Sequence, residues 1–264
     1  MKYALVNNQR VEAQKGMKGI CPVCKQPVIA KCGQFKVNHW AHSKSNNCDS
    51  WWESETEWHR TWKNLFPEEW QEVIAYDENT GEKHVADIKT DQGFVIEFQH
   101  SHIKPEERIS RESFYKNMLW VVDGSRLKLT FPRFYKAFHN GNIHLIPKTN
   151  IFYLFHADEC IPKEWLNCNV PVIMDFKSST HHEHLKILKE GEVKSFLWCI
   201  LPIKSNSLTI LYKLDKEELI KYITSGGLVF HYQNIIDRVI EVLSPQKQVT
   251  YSYKPLRRGR RWNL

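Results

Sequence analysis

Residues 83–101, "KHVADIKTDQGFVIEFQHS", decide how the chain is read. Two apolar runs, "KHVADIKT" (83–90) and "FVIEFQHS" (94–101), flank "DQG" (91–93), a Gly-containing connection of the kind that closes a β-hairpin. Side chains alternate across a strand, so Glu97, Gln99 and Ser101 share one face while Ile96 and Phe98 take the other. Asp87 interrupts the partner strand in the same way. Buried or half-buried carboxylates are costly unless paired or bound to a cation. Two of them on neighbouring strands, with carbonyl and water oxygens, suit a hard divalent ion such as Mg²⁺ or Mn²⁺. The plain alternative is the solvated side of a hairpin.

Outward from this hairpin, the pattern predicts helix, three strands, helix, strand. The first helix is expected to start at Ser50, with "SWWE" as a capping box (Ser50 and Glu53), and to stop before Pro67. Strands follow at "EVIAY" (72–76), 83–90 and 94–101. Pro105 and the acids behind it open a second helix, "PEERISRESFYKNM", and "LWVVDG" reads as a buried strand ending at Gly124. On the first helix, Glu55, His59 and Lys63 stand at i, i+4 and i+8, one face of a helix. On the second, Arg111 and Tyr115 stand at i and i+4, with Arg108 a turn earlier. Glu107–Arg111 alone would be an ordinary surface ion pair.

Toward the amino end, "YALVNNQRVEA" predicts a hairpin turning at Asn7-Asn8. The segment after it contains C-x2-C-x14-H-x2-H-x5-C: Cys21, Cys24, His39, His42 and Cys48. Structural zinc takes four Cys or His ligands in a closed tetrahedron, and a CxxC turn supplies two of them. Cys21, Cys24 and His42 fill three places, and the fourth stays open between His39 and Cys48. Cys32 falls on a turn. So short and polar a segment relies on a metal for its stability.

Residues 125–264 alternate short apolar segments with helix-like stretches and carry no catalytic motif. The closing "YSYKPLRRGRRWNL" has five basic residues and no acid, as in a polyanion-binding tail or a disordered end. The division expected is 1–49, an N-terminal hairpin and zinc element; 50–124, an αβββαβ core; and 125–264, an α/β region. A net charge of +7 and a pI near 8.9 are compatible with a polyanionic partner. No apolar run approaches the roughly 18–20 residues of a membrane span. The start lacks a signal-peptide pattern, and the seven cysteines form no disulfide framework, so a cytoplasmic protein is expected.

"ETEWHRTWK", "HVADI", "IEFQHS" and "RESFY", in this order, together with "CPVC…HWAH", resemble the competence protein CoiA-like family over about residues 1–124. That family is similar to the PD-(D/E)xK nucleases, with a restriction-endonuclease-like αβββαβ fold. The resemblance implies Mg²⁺- or Mn²⁺-dependent cleavage of DNA, in competence and recombination or in defence. Asp87 and Glu97 would hold the metal and Gln99 would orient water. Glu55, His59, Lys63, Arg111 and Tyr115 would support the reaction, with Zn²⁺ at the amino end. Proteins of recombination or DNA uptake are the implied partners. The sequence departs from the wider pattern in two places: Val85-Ala86 precede Asp87 where Pro is usual, and Gln99 stands where Lys is commonest. The competing expectation is a non-catalytic, zinc-containing DNA-binding accessory protein.

Overall fold

The computed structural model describes residues 1–43, 48–51, 55–78, 80–177, 190–203 and 208–243. Met1–Leu228 form one compact unit and Val229–Leu264 another. The protein is mixed α/β, with two sheets and six α-helices among the described residues.

The first sheet is antiparallel and built from β1 (Tyr3–Val6), β2 (Gln9–Glu12), β3 (Lys18–Ile20), β4 (Pro27–Lys31) and β5 (His39–His42), in the order β2-β1-β3-β4-β5. Asn7 and Asn8 both take positive φ (50° and 65°), the left-handed conformation that a two-residue hairpin needs and that Asn tolerates. The segment does bury a small core of its own: Ala4, Ala13, Cys21, Val23, Val28 and Trp40. Ile74 and Val85 of the second sheet pack against this cluster.

The second sheet has nine strands: β6 (Gln71–Tyr76), β7 (Lys83–Lys89), β8 (Val95–Gln99), β9 (Met118–Asp123), β10 (Ile143–Leu145), β11 (Ile151–Leu154), β12 (Val172–Asp175), β13 (Leu197–Ile200) and β14 (Thr209–Leu214). Their order is β10-β11-β14-β13-β12-β9-β8-β7-β6. The predicted succession is present, with α1 (Glu57–Lys63) before β6 and α2 (Pro105–Tyr115) joining β8 to β9. That joined pair is parallel, as a helical crossover requires. Strand β12 then pairs parallel with the far side of β9, so the sheet draws strands from both sides of residue 124.

One helix start differs from expectation. Helix α1 begins at Glu57, where the Thr56 side chain accepts a hydrogen bond from the His59 amide at 3.3 Å. The expected cap at Ser50 lies outside the helix, and its partner Glu53 lies outside the described residues. Thr56 satisfies an amide of the first turn itself, which makes the earlier cap unnecessary. The helix lays Trp62 against Phe98 of β8, stacked with centroids 5.6 Å apart. The indole nitrogens of Trp58 and Trp62 both donate to Asp175 Oδ2 at 2.9 Å, which ties α1 to the end of β12. On the other face, Tyr115, Trp120, Phe134 and Trp198 belong to the large core, to which α3 (Thr130–His139) contributes Phe131 and Phe134.

Helices α4 (Glu190–Ser195) and α5 (Lys216–Thr224) complete the first unit. Asp215 caps α5, accepting from the Glu217 amide at 2.8 Å. Helix α6 runs from Leu228 to Leu243 and makes up the described part of the second unit. The basic tail after Thr250 lies outside the described residues.

Candidate metal centre and acidic cleft

Two sites meet in one cavity of about 170 Å³, which is lined by His42 and Cys48 on one hand and by Glu55, Asp87, Glu97 and Arg111 on the other.

At the first, Cys21, Cys24, His42 and Cys48 bring their ligand atoms within 4.8 Å of one another. Cys21 Sγ lies 3.6 Å from Cys48 Sγ, and Cys24 Sγ lies 3.2 Å from His42 Nε2. A tetrahedron of Zn–S and Zn–N bonds about 2.0–2.3 Å long has edges of roughly 3.5–3.8 Å, so the four side chains fit zinc. The fourth ligand is Cys48, not His39. His39 and His42 are three positions apart on β5 and face opposite ways, and His39 Nδ1 lies 2.9 Å from the Val37 carbonyl. Cys32 stands apart, its thiol 3.7 Å from the Ala13 carbonyl. Among the described residues this is the one group of three or more His, Cys, Asp or Glu side chains gathered closely enough for a metal.

At the second, β7 and β8 are registered at Ile88↔Ile96 and Lys89↔Val95. Beyond this point the acids take over the amides. Glu97 Oε1 accepts from the Asp87 amide at 3.2 Å, and Asp87 Oδ2 accepts from the Phe98 amide at 3.0 Å. Two basic side chains and a histidine surround the two acids. His59 Nε2 stands 2.9 Å from Asp87 Oδ2, and Lys63 Nζ 3.7 Å from Asp87 Oδ1. Arg111 donates to Glu97 Oε2 at 3.0 Å. Burial and then the charge of Asp87 push Glu97 up to about 8, although Arg111 pulls the other way. Burial opposes the charge of Asp87 too, but His59 and Lys63 overcome it and hold that acid below its ordinary value.

The remaining expected residues divide. Glu55 precedes α1 rather than lying on it, yet it still reaches Lys63 at 3.3 Å and is gripped by Arg60, whose Nε donates at 2.9 Å. Gln99 is buried and turns its amide nitrogen to Ser101 Oγ at 3.1 Å. Tyr115 packs edge-on to Trp51 and Phe114, with its hydroxyl buried and without a hydrogen bond. Neither Gln99 nor Tyr115 lines the cavity. Arg111 also pairs with Glu107, so its surface ion pair and its cleft contact coexist. Arg108 pairs with Glu112 instead of reaching the cleft.

Two residues essential to this arrangement escape a reading of the sequence alone. Glu72 of β6 falls opposite Asp87, between the Gln71↔Ile88 and Val73↔Ala86 pairs, and has a left-handed φ of 48°. Such a backbone is strained for a residue with a side chain, and such strain gathers at functional sites. Its carboxylate holds Lys63 Nζ at 2.8 Å and accepts the amides of Lys2 and Tyr3 at 2.6 and 3.1 Å. Asp49, next to Cys48, accepts from the Val85 and Trp51 amides and from His84, each at 2.8–2.9 Å. The signals are slight: a lone acid opening an apolar strand, and an Asp two residues before the amide it caps.

Residues 4–50 match the family model of the competence protein CoiA N-terminal domain. The match runs from Ala4 in β1 through β5 and includes the clustered Cys21, Cys24, His42 and Cys48. No curated protein and no solved structure matches the chain.

The geometry of the Cys/His cluster makes a specific demand on metal content. The purified protein should carry one zinc per chain by elemental analysis. Cys48→Ser should lose it and His39→Ala should keep it.

The ion-pair network sets the acid limit. Burial disfavours the Glu72 charge, but Lys63, the amino-terminal charge and the Lys2 amide together more than offset this and hold Glu72 well below its usual 4.5. That charge therefore stabilises the fold above about pH 4.5, and the contribution is lost as pH falls toward the depressed value. Glu72→Gln should cost about 3 kcal/mol in urea unfolding at pH 7, because Lys63 then stays buried with one partner fewer. The difference from wild type should shrink steadily below pH 4.5.

Proposed function

We propose that the chain is a Mg²⁺- or Mn²⁺-dependent nuclease of the PD-(D/E)xK type that cleaves DNA phosphodiester bonds. The observation that carries this reading is the buried pair Asp87 and Glu97, set where the β7–β8 ladder opens and exposed to a cavity rimmed by cations. The donor set fits the ion. Both ligands are hard carboxylate oxygens, and the rise of Glu97 to about 8 beside Asp87 marks a pair short of positive charge. A divalent ion held by Asp87 and Glu97 supplies polarisation of the phosphate and a more acidic bound water.

The side chains of the chain divide the rest of the work. His59, whose Nε2 stands 2.9 Å from Asp87 Oδ2, can pass a proton between the cleft and solvent. Lys63 and Arg111 offset the charge that gathers on the phosphate oxygens, and Arg111 is fixed for this by its contact to the Trp51 carbonyl at 2.6 Å. Gln99, turned toward Ser101, supports the end of β8 and would need to rotate to orient water. Glu55 and Glu72 hold Lys63 in place. Tyr115 closes the apolar side beside Trp51.

A second reading, a zinc-containing DNA-binding accessory protein without catalysis, draws on one observation. Lys63 and Arg111 are already paired with acids of the protein itself, which leaves less of their charge for a phosphate. In either reading the partners are DNA and the machinery of uptake or recombination, in the cytoplasm. Among the described residues no helix is long and apolar enough to cross a membrane.

Labelled single- and double-stranded DNA incubated with Mg²⁺, Mn²⁺ or neither separates the readings. Wild type should cleave only with metal. Asp87→Ala and Glu97→Ala should each lose at least a hundredfold in rate while retaining zinc and DNA affinity. Binding without cleavage in every metal would favour the accessory protein, and full activity in either variant would remove the site assignment.

A further inference from the structure

The stretch from residue 124 to residue 157 contains no Asp or Glu, although Lys, Arg and His recur along it. At the frequency of the whole chain, 30 acids in 264 residues, about four would fall in it. This stretch folds as α3 followed by the β10–β11 hairpin, and β10 is the end strand of the nine-stranded sheet. Helix α3 buries Phe131, Phe134 and Ala137 in the core, which leaves Arg133, Lys136 and His139 on its exposed side.

A separate pocket of about 130 Å³ opens on this side. Arg133, Lys136, Asn140, Asn142 and His156 line it, with Glu159 as the one acid of the lining. Arg133 and Lys136 make no ion pair with any described residue, in contrast to Lys63 and Arg111 of the cleft. His156 is held at a left-handed φ of 51° with its side chain exposed. Beside it in the chain, Phe155 is exposed and its ring meets His144 edge-on at 5.6 Å, aromatic surface on which a base can stack. Cations in the last turn of a helix are favoured by the helix dipole, which accounts for Lys136 and His139. It accounts neither for Arg133, a turn earlier, nor for the missing acids.

We infer that α3 and the β10–β11 edge form a nucleic-acid-binding face, with Arg133, Lys136 and His156 seating a backbone phosphate in the pocket. Unpaired cations, amide donors and aromatic edges together suit a phosphodiester chain, and single strands above all, since their bases are free to stack. The inference deepens the nuclease reading, because it gives the same polymer a second point of attachment, but it does not require cleavage.

The test is fluorescence anisotropy of a labelled single-stranded oligonucleotide with the full chain, zinc-loaded and without added Mg²⁺ or Mn²⁺, across a range of salt. Arg133→Glu/Lys136→Glu should weaken binding about tenfold. It should also flatten the plot of log K against log salt by about 1.4, roughly 0.7 for each single-strand phosphate that is no longer neutralised. Arg133→Gln/Lys136→Gln should shift both in the same direction by less. Lys18→Glu, on β3, should change binding less than twofold. Unchanged thermal melting would exclude misfolding as the cause. Wild-type affinity and slope in both double variants would overturn the inference, as would binding to anionic phospholipid vesicles with none to the oligonucleotide. The two readings fail separately: binding sensitive to Arg133 and Lys136 with no cleavage in any metal removes the nuclease alone, and cleavage with insensitive binding removes this face alone.

Discussion

Asp87 accepts the Phe98 amide, which regular pairing of β7 with β8 would give to a backbone carbonyl, and Glu97 accepts the Asp87 amide in turn. Much of the structure follows from that exchange. It opens the sheet at one point and buries two carboxyl groups side by side, which a folded protein tolerates only with compensating partners. His59 and Lys63 stand against Asp87 from α1, and Arg111 against Glu97 from α2. The two helices are thus fixed to the sheet by charge as well as by Trp62 and Tyr115. Glu72, opposite Asp87 and strained, then neutralises Lys63 from the third strand.

The same network joins the N-terminal sheet to the core. Glu72 also accepts the amides of Lys2 and Tyr3, and Asp49, one residue past Cys48 of the Cys/His cluster, caps Val85 two residues from Asp87. His42 and Cys48 line the cavity that Asp87 and Glu97 also line. The Cys/His cluster therefore forms a wall of the acidic cleft, and Asp49, next to Cys48, ties it to β7 through the Val85 amide.

Local patterns are legible because local physics makes them. Alternation marks β7 and β8, the Asn7-Asn8 turn marks the first hairpin, and Pro105 marks the start of α2. The start of α1 is harder to place because Ser50 offers a full capping box, whereas Thr56, six residues on, has His59 in place of its acid; Thr56 is the one that caps the helix. The fourth member of the Cys/His cluster needs the fold, since strand alternation turns His39 away while Cys48 lies beside Cys21. Gln99 alternates in register with Glu97, yet Ser101 holds its amide and it does not line the cavity. The roles of Glu72, Asp49 and Asp175 stay hidden because their partners lie 9 to 117 residues away in sequence. The acid-free stretch over α3 and β10–β11 is visible in the composition, but only folding shows that its Arg133 and Lys136 make no ion pair with a described residue.

The central claim is that Asp87 and Glu97 form a hard-cation site distinct from zinc. Electron paramagnetic resonance of Mn²⁺ titrated into the zinc-loaded protein tests it most directly. One Mn²⁺ should bind per chain with the zinc retained, and Glu97→Gln should abolish that binding. Wild-type protein that leaves all the Mn²⁺ free, or a Glu97→Gln variant that binds it as well as wild type does, would contradict the account.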